Sequence, residues 1–177
     1  HYARFFDDRG YAVKSLPEDL DADFEGMGDA LWHPGRRLLW GGYGYRTSPE
    51  AYDALSDLLD VPVLLLHLTD PDYYHLDTCL CPLDADHALV APEAFDDAGR
   101  ALIDTLFDTP IEVPDREARH QFACNAHCPD GTHVLIQEGC ETTTERLRAH
   151  DFVPVEIDTS EFMKAGGSVF CMKQMVW

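Results

Sequence analysis

Basic residues are scarce in this sequence. Lysine occurs only at Lys14, Lys164 and Lys173, and 13 Lys and Arg stand against 33 Asp and Glu, a formal charge of −20 over 177 residues. Nucleic-acid binding needs a patch of the opposite sign, so that class is disfavoured. Long hydrophobic runs are missing too. The longest apolar stretch, Val61 to Leu68, is interrupted by Pro62 and His67 and is only strand-sized. A membrane span needs about 18 or more apolar residues, and none is expected here. The opening HYARFFDDRG has neither an apolar core nor a cleavage pattern, which points to a cytoplasmic setting with reduced thiols. Linker-like and low-complexity stretches are absent as well, so residues 1–177 read as one domain. The chain has no initiator Met and starts in a helix-like segment, so a fragment of a longer chain is expected.

What is present is enough for a sizeable core: 45% of residues are hydrophobic. The acid excess has two readings. One is a funnel that draws in a cationic substrate. The other, favoured as the main cause, is a carboxylate coat adapted to high salt, where screening removes self-repulsion. Six cysteines, at 79, 81, 124, 128, 140 and 171, permit a disulfide framework, but a chain this apolar does not need one. They are read as thiols, of which one or two carry chemistry.

A repeated order of elements runs through the chain. Helix-like segments fall near 1–9, 49–59, 96–107 and 141–150, the second opening with Ser48 as N-cap and Pro49 at the first helical position. Each is followed by a short β-branched strand (YAVKSL, VPVLLLHL, PIEV, VPVEI) and then by one or two more. These are ADFEG to DALW and RLLWGGYG, then YYHLDTCLCPL and HALVAPEA, then RHQFACNA and THVLIQE, and finally SVFCMKQMVW. A unit of this kind cannot bury its strands alone, so several must pack about a shared centre. An α/β ring of ββαβ-like units, helices outside, satisfies that need; an ordinary α+β domain is the plainer alternative.

Four segments carry residue types suited to chemistry. In FEGMGD, Glu25 and Asp29 flank two glycines, and a carboxylate facing a core must find a cation or an imidazole; a solvated turn is the plainer alternative. In YYHLDT, a strand would put His75 and Asp77 on one face, a general acid/base arrangement, although a lone His is more often structural. In KAGGSVFCM, two glycines lead a tight loop into a strand bearing Cys171, a nucleophile if its thiol is activated and an inert buried Cys otherwise. In FACNAHCPDGTH, Cys124, His127, Cys128 and His133 are zinc-ligand types, but their spacing reads better as strand, Pro-Asp-Gly turn and strand.

Taken in order, FEGMGDAL, GYGYRTS, HLDT, FACNA and KAGGSVFCM resemble the guanidino-group-modifying enzymes. These include arginine deiminases, dimethylarginine dimethylaminohydrolases, arginine dihydrolases and amidinotransferases. The resemblance runs from about Tyr2 to Val176. It implies the pentein fold, an α/β propeller of five pseudosymmetric ββαβ units, of which about four are counted here, the missing one expected upstream of His1. It implies that Cys171 is the nucleophile, His75 the acid and then base, and Glu25 the carboxylate that orients His75. It implies substrate contacts from Asp77, a supporting Asp29, and Arg46 as a grip on an α-carboxylate, with Asn125 structural or substrate-facing. The implied activity is hydrolysis of the guanidino C–N bond of arginine or N-methylated arginine through a covalent thiouronium, with no metal and no cofactor. An amidinotransferase shares the first half-reaction, and a non-catalytic pentein used for binding or assembly is the alternative of another class. The expected partner is a small cationic guanidine, with a second copy of the chain as a candidate. Deiminases place an Arg in the glycine loop before the catalytic Cys; here the loop reads Lys164-Ala165-Gly166-Gly167-Ser168, closer to dimethylargininases or arginine dihydrolases.

Overall fold

The computed structural model describes residues 1–175; Val176 and Trp177, the end of the expected last strand and of the resemblance, lie outside them. The helices are α1 (Tyr2–Asp7), α2 (Ala51–Leu59), α3 (Asp97–Leu106), α4 (Asp115–Gln121), α5 (Glu141–Ala149) and α6 (Ser160–Met163). The strands are β1 (Ala30–Trp32), β2 (Leu39–Tyr43), β3 (Val63–His67), β4 (Leu80–Pro82), β5 (His87–Val90), β6 (Thr109–Glu112), β7 (His133–Gln137) and β8 (Val153–Ile157). Short 3-10 turns occupy Gly26–Gly28, Leu76–Thr78, Pro92–Ala94 and Phe170–Met172.

The strands form three small sheets in the orders β1-β2-β3, β4-β5-β6 and β7-β8. In each of the first two, an antiparallel pair is followed, across a helix, by a strand parallel to the second. The third repeats the strand–helix–parallel strand step through α5, and an isolated antiparallel bridge from His127 to Leu135 stands where its first strand would be. The repeated β-β-α-β order is therefore real, although the described residues build three sheets where four units were counted. The expected strand YAVKSL forms no ladder; Tyr11 and Val13 are largely exposed and meet no sheet edge among the described residues.

Other departures have local causes. RHQFACNA was expected as a strand, but Arg119 to Gln121 end α4, and Phe122 in the left-handed region (φ +51°) stops it. Asp115 and Glu117 in its first turn and Arg119 and His120 in its last suit the helix dipole. Glu117 then serves the next helix: its carboxylate accepts from the amides of Thr142 and Thr143, both at 2.9 Å, closing the N-terminus of α5. Ser48 does not cap α2. Its hydroxyl instead accepts from the Asp23 amide at 3.3 Å, and its carbonyl takes the Ala51 amide. For α3 the cap is Asp96, whose side chain accepts from Gly99 N at 2.8 Å.

One apolar core runs across all three sheets, with Leu31, Leu66, Leu76, Leu89, Ile136 and Leu147 buried in it. A polar element joins the first two sheets inside it. His33, 1% exposed, lies beside Trp40 with the Phe107 ring stacked on both, accepts from the Trp40 indole N–H at Nδ1 (3.1 Å) and donates from Nε2 to the Ala85 carbonyl (2.9 Å). The Trp40 bond requires Nδ1 without a proton, hence the neutral ring, and burial holds its pKa below the ordinary value. The folded state then binds fewer protons at this site than the unfolded chain. The stabilisation is full above about pH 6.5, the unfolded value, and is lost as pH falls through the folded one. A His33→Gln variant, less stable at pH 7, should lose less melting temperature than the wild type between pH 7 and pH 5; equal losses in pH-dependent thermal denaturation would refute the role of His33.

Candidate active site

Each chemically suited residue sits in a turn just before, or in place of, the first strand of a sheet. Glu25 and Asp29 bracket the turn Gly26–Gly28 ahead of β1, His75 leads the turn Leu76–Thr78 ahead of β4, and Asn125 precedes the His127 bridge. Cys171 lies in the final turn, Phe170–Met172. Neither His75 nor Cys171 is on a strand as expected, because the backbone folds into 3-10 turns at both places. The residues still converge.

His75 Nε2 lies 2.7 Å from Glu25 Oε2 and 3.9 Å from Asp29 Oδ2. The ring approaches so closely because position 28 is glycine: a Cβ there would stand 2.8 Å from His75 Nδ1. The His75 hydrogen bond, with help from Arg46, holds the Glu25 carboxyl below its usual value. Asp29 is fully buried and internally committed. Thr47 donates to its Oδ2 at 2.7 Å, the Leu76 amide to its Oδ1 at 2.9 Å, and burial pushes its pKa up. Thr47 Oγ1 also accepts from the Glu25 amide at 3.1 Å, so one hydroxyl sets both carboxylates.

On the other side, the Cys171 thiol donates to Asp77 Oδ2 at 3.3 Å and accepts from Asn125 Nδ2 at 3.3 Å. Asn125 is wholly buried: its Oδ1 also accepts from the Ser168 and Cys171 amides, and its Nδ2 donates to the Asp77 carbonyl. Burial and the neighbouring Asp77 raise the Cys171 thiol to about 11. Burial takes Asp77 up to about 6, and its second oxygen, Oδ1, is buried with no hydrogen-bond partner among the described residues. An orphaned buried carboxylate oxygen is costly and marks a place that a donor would satisfy.

Cys171 and His75 both line one cleft of about 640 Å³, with Arg46, Tyr74, Phe162 and the loop Ala165–Ser168 as its walls. Arg46, expected to be free for a substrate carboxylate, instead donates from Nη1 to both Glu25 oxygens at 3.1 and 3.3 Å, the acid within its reach. Glu25, Asp29, Asp77 and Asn125 are not among the residues that line the cleft: Asp29 and Asn125 use their polar atoms to fix backbone and thiol, Glu25 bonds to the lining residues His75 and Arg46, and Asp77 to the lining Cys171. Thr47, Tyr74 and Ser168 were not singled out from sequence, although they lie inside GYGYRTS, YYHLDT and KAGGSVFCM. Cys124 is buried and Cys128 half-buried. Among the described residues no group of three His, Cys, Asp or Glu side chains gathers as a metal site.

No family model matches the chain. Over 174 residues, 97% of its length, it is 36% identical to a bifunctional arginine dihydrolase/ornithine cyclodeaminase from Nostoc sp., covering 24% of that protein. Over 148 residues it is 41% identical to the N(G),N(G)-dimethylarginine dimethylaminohydrolase of Mycobacterium tuberculosis, covering 83% of this chain and 47% of that one. The fold superposes on the substrate-bound N-terminal domain of cyanobacterial ArgZ, an arginine dihydrolase, with a TM-score of 0.83 at 37% identity, covering 93% of this chain and 60% of that domain. The chain belongs to the guanidino-group-modifying enzyme superfamily. It spans about a quarter of the length of the Nostoc member and under half of the mycobacterial one. An amidinotransferase of the superfamily, SxtG from Microseira wollei, shares the fold at a TM-score of 0.72 and 18% identity. None of the helices is long and apolar enough to cross a membrane.

Asn125→Ala removes a buried amide that serves one thiol, two amides and a carbonyl, and leaves those partners unsatisfied. It should lower stability by about 1–3 kcal/mol, measured by denaturant unfolding; an unchanged midpoint would mean that this network does not hold the Cys171 turn.

Proposed function

We propose that the cleft is the site of a cysteine-dependent hydrolase acting on the guanidino C–N bond of arginine or an N-methylated arginine. The observation that carries this reading is the Cys171 thiol held 3.3 Å from a buried Asp77 whose second oxygen lacks a partner. A planar, cationic guanidinium supplies what both groups need. Its N–H groups satisfy Asp77 by charge-assisted hydrogen bonds, and its charge favours the thiolate. The names of the Nostoc and mycobacterial relatives support the same substrate class.

In this mechanism the Cys171 thiolate adds to the guanidinium carbon, giving a tetrahedral species. Protonated His75, held by Glu25, gives its proton to the departing nitrogen, the C–N bond breaks, and a thiouronium remains on Cys171. Neutral His75 then takes a proton from water, the hydroxide adds to the same carbon, and the C–S bond breaks to release the ureido product. Arg46 leaves Glu25 to meet the substrate's α-carboxylate. A dihydrolase would pass the ureido product through the site again, whereas an amidinotransferase would admit an amine instead of water. The three sheets are read as successive units of a pentein ring in a single catalytic domain. The acid surface is read as adaptation to salt, with a guanidine-attracting field as its second use.

The test is a cationic haloacetamidine against neutral iodoacetamide, with adducts mapped by mass spectrometry. Near pH 7 the haloacetamidine should label Cys171 selectively, arginine should block it, and His75→Ala should slow it. Because the empty-site thiol is raised to about 11, iodoacetamide should react slowly at pH 7 and faster as pH climbs. Asp77→Asn should move the two reagents in opposite directions, faster for the neutral one and slower for the cation. Uniform or absent labelling would favour a non-catalytic binding role.

A charge of −20 on 177 residues should also make stability rise with added salt. A melting temperature indifferent to KCl between low and molar concentrations would remove the salt-adaptation reading.

A further inference from the structure

Resting on that reading of the cleft, we propose that Tyr74 is a positioning residue that latches the glycine loop Lys164–Ser168 across the site and so sets Cys171 against His75. Its phenol O–H donates to the Gly166 carbonyl, 92 positions away. Gly166 sits at φ +88°, a conformation that side chains disfavour, and a Cβ there would stand 3.0 Å from the Tyr74 hydroxyl. On the opposite side of the loop, a Cβ on Gly167 would stand 2.8 Å from the Cys171 Cβ. The double glycine thus threads bare backbone between the phenol and the cysteine.

The other anchors of this loop lie at its ends. The Ser168 hydroxyl meets Thr159 Oγ1 at 2.7 Å and the Ser168 amide donates to Asn125. The Ala165 and Gly166 amides bond only to Phe162 and Met163, within the same segment. Among the described residues, the Tyr74 hydroxyl is the polar contact that ties the middle of the loop to the rest of the protein. At its other end Tyr74 belongs to the acid–base half of the site. Its ring lies 5.0 Å from the His75 ring, and the Arg46 guanidinium sits 5.4 Å above it. One side chain therefore touches the His75 segment, the Arg46 contact and the cysteine loop, and the loop it holds is a wall of the cleft.

Tyr74→Phe in the full chain keeps the ring and removes only the latch. Hydrogen exchange of the 165–168 amides and iodoacetamide labelling of Cys171 should both quicken about five- to tenfold, the factor carried by one net hydrogen bond. Turnover of arginine or methylarginine should fall in kcat by at least a similar factor, and the melting temperature should stay within a degree or two. A merely structural role would lower the melting temperature and raise exchange throughout the domain. Unchanged exchange in 165–168 together with unchanged iodoacetamide labelling would overturn the latch. Both readouts work without a substrate, so they stand apart from the question of whether guanidines are hydrolysed.

Discussion

Three carboxylates gather behind the His75 and Cys171 wall of one cleft, and the way each one's charge is answered decides the rest of the site. Asp29 is answered from within, by Thr47 and the Leu76 amide, and so acts as a strut between the turns that carry Glu25 and His75. Glu25 is answered by His75 and by Arg46, both at the cleft wall. Among the described residues, Asp77 is answered by the weak donor of Cys171 on one oxygen and by nothing on the other. Like charges at this spacing raise one another's cost in a poorly solvated site. For Asp77 burial outweighs any neighbouring charge, and its carboxyl moves up to about 6. A flat cation with several donors is the partner that relieves it, and that geometry narrows the ligand class more than the net charge does.

Convergence of residues from opposite ends of the chain follows from the repeat. Each sheet opens with a short strand reached through a tight turn, and that turn is where a side chain can face the shared centre without being part of a ladder. Glu25, His75 and Asn125 occupy the same place in three successive units. The architecture therefore delivers chemistry to one point from segments about 50 residues apart, each unit supplying its side chains from a short stretch of chain.

The helices were legible because their signals are local. Asp97–Leu106 and Glu141–Ala149 appear within a residue or so of where caps and apolar spacing set them. The β-branched strands Val63–His67 and Val153–Ile157 were equally plain. The turns were not. In YYHLDT and SVFCM the alternation of polar and apolar residues looks like a strand, yet Leu76 faces the core from a 3-10 turn, and the pattern alone cannot tell the two apart over three residues. The grouping of Cys171, His75, Glu25 and Asp77 was expected from residue type and order, and the structure brings His75 to Glu25 and Cys171 to Asp77. The engagement of Arg46 by Glu25 was not, since it depends on a contact between side chains 21 positions apart. Tyr74 was invisible for the same reason: its function lies in a carbonyl far along the chain, and a tyrosine before a histidine carries no signal of that.

Cys171 poses the sharpest question of cause. Five other cysteines are buried or half-buried, and burial raises every one of their thiols; Cys171 is set apart by its exposure at the cleft. Cys171 is itself raised, to about 11, first by burial and then by the neighbouring Asp77 carboxylate, with no cation among the described residues set against the sulfur to oppose them. A site built for general thiol reactivity would place a histidine or a helix N-terminus against the sulfur; here His75 is given to Glu25 and the sulfur to Asp77 and Asn125. The arrangement keeps the thiol quiet against ordinary electrophiles and leaves its activation to whatever neutralises Asp77. On the proposed reading, selectivity and reactivity rest on the same contact, because the ligand that satisfies the orphaned oxygen is the one whose charge favours the thiolate.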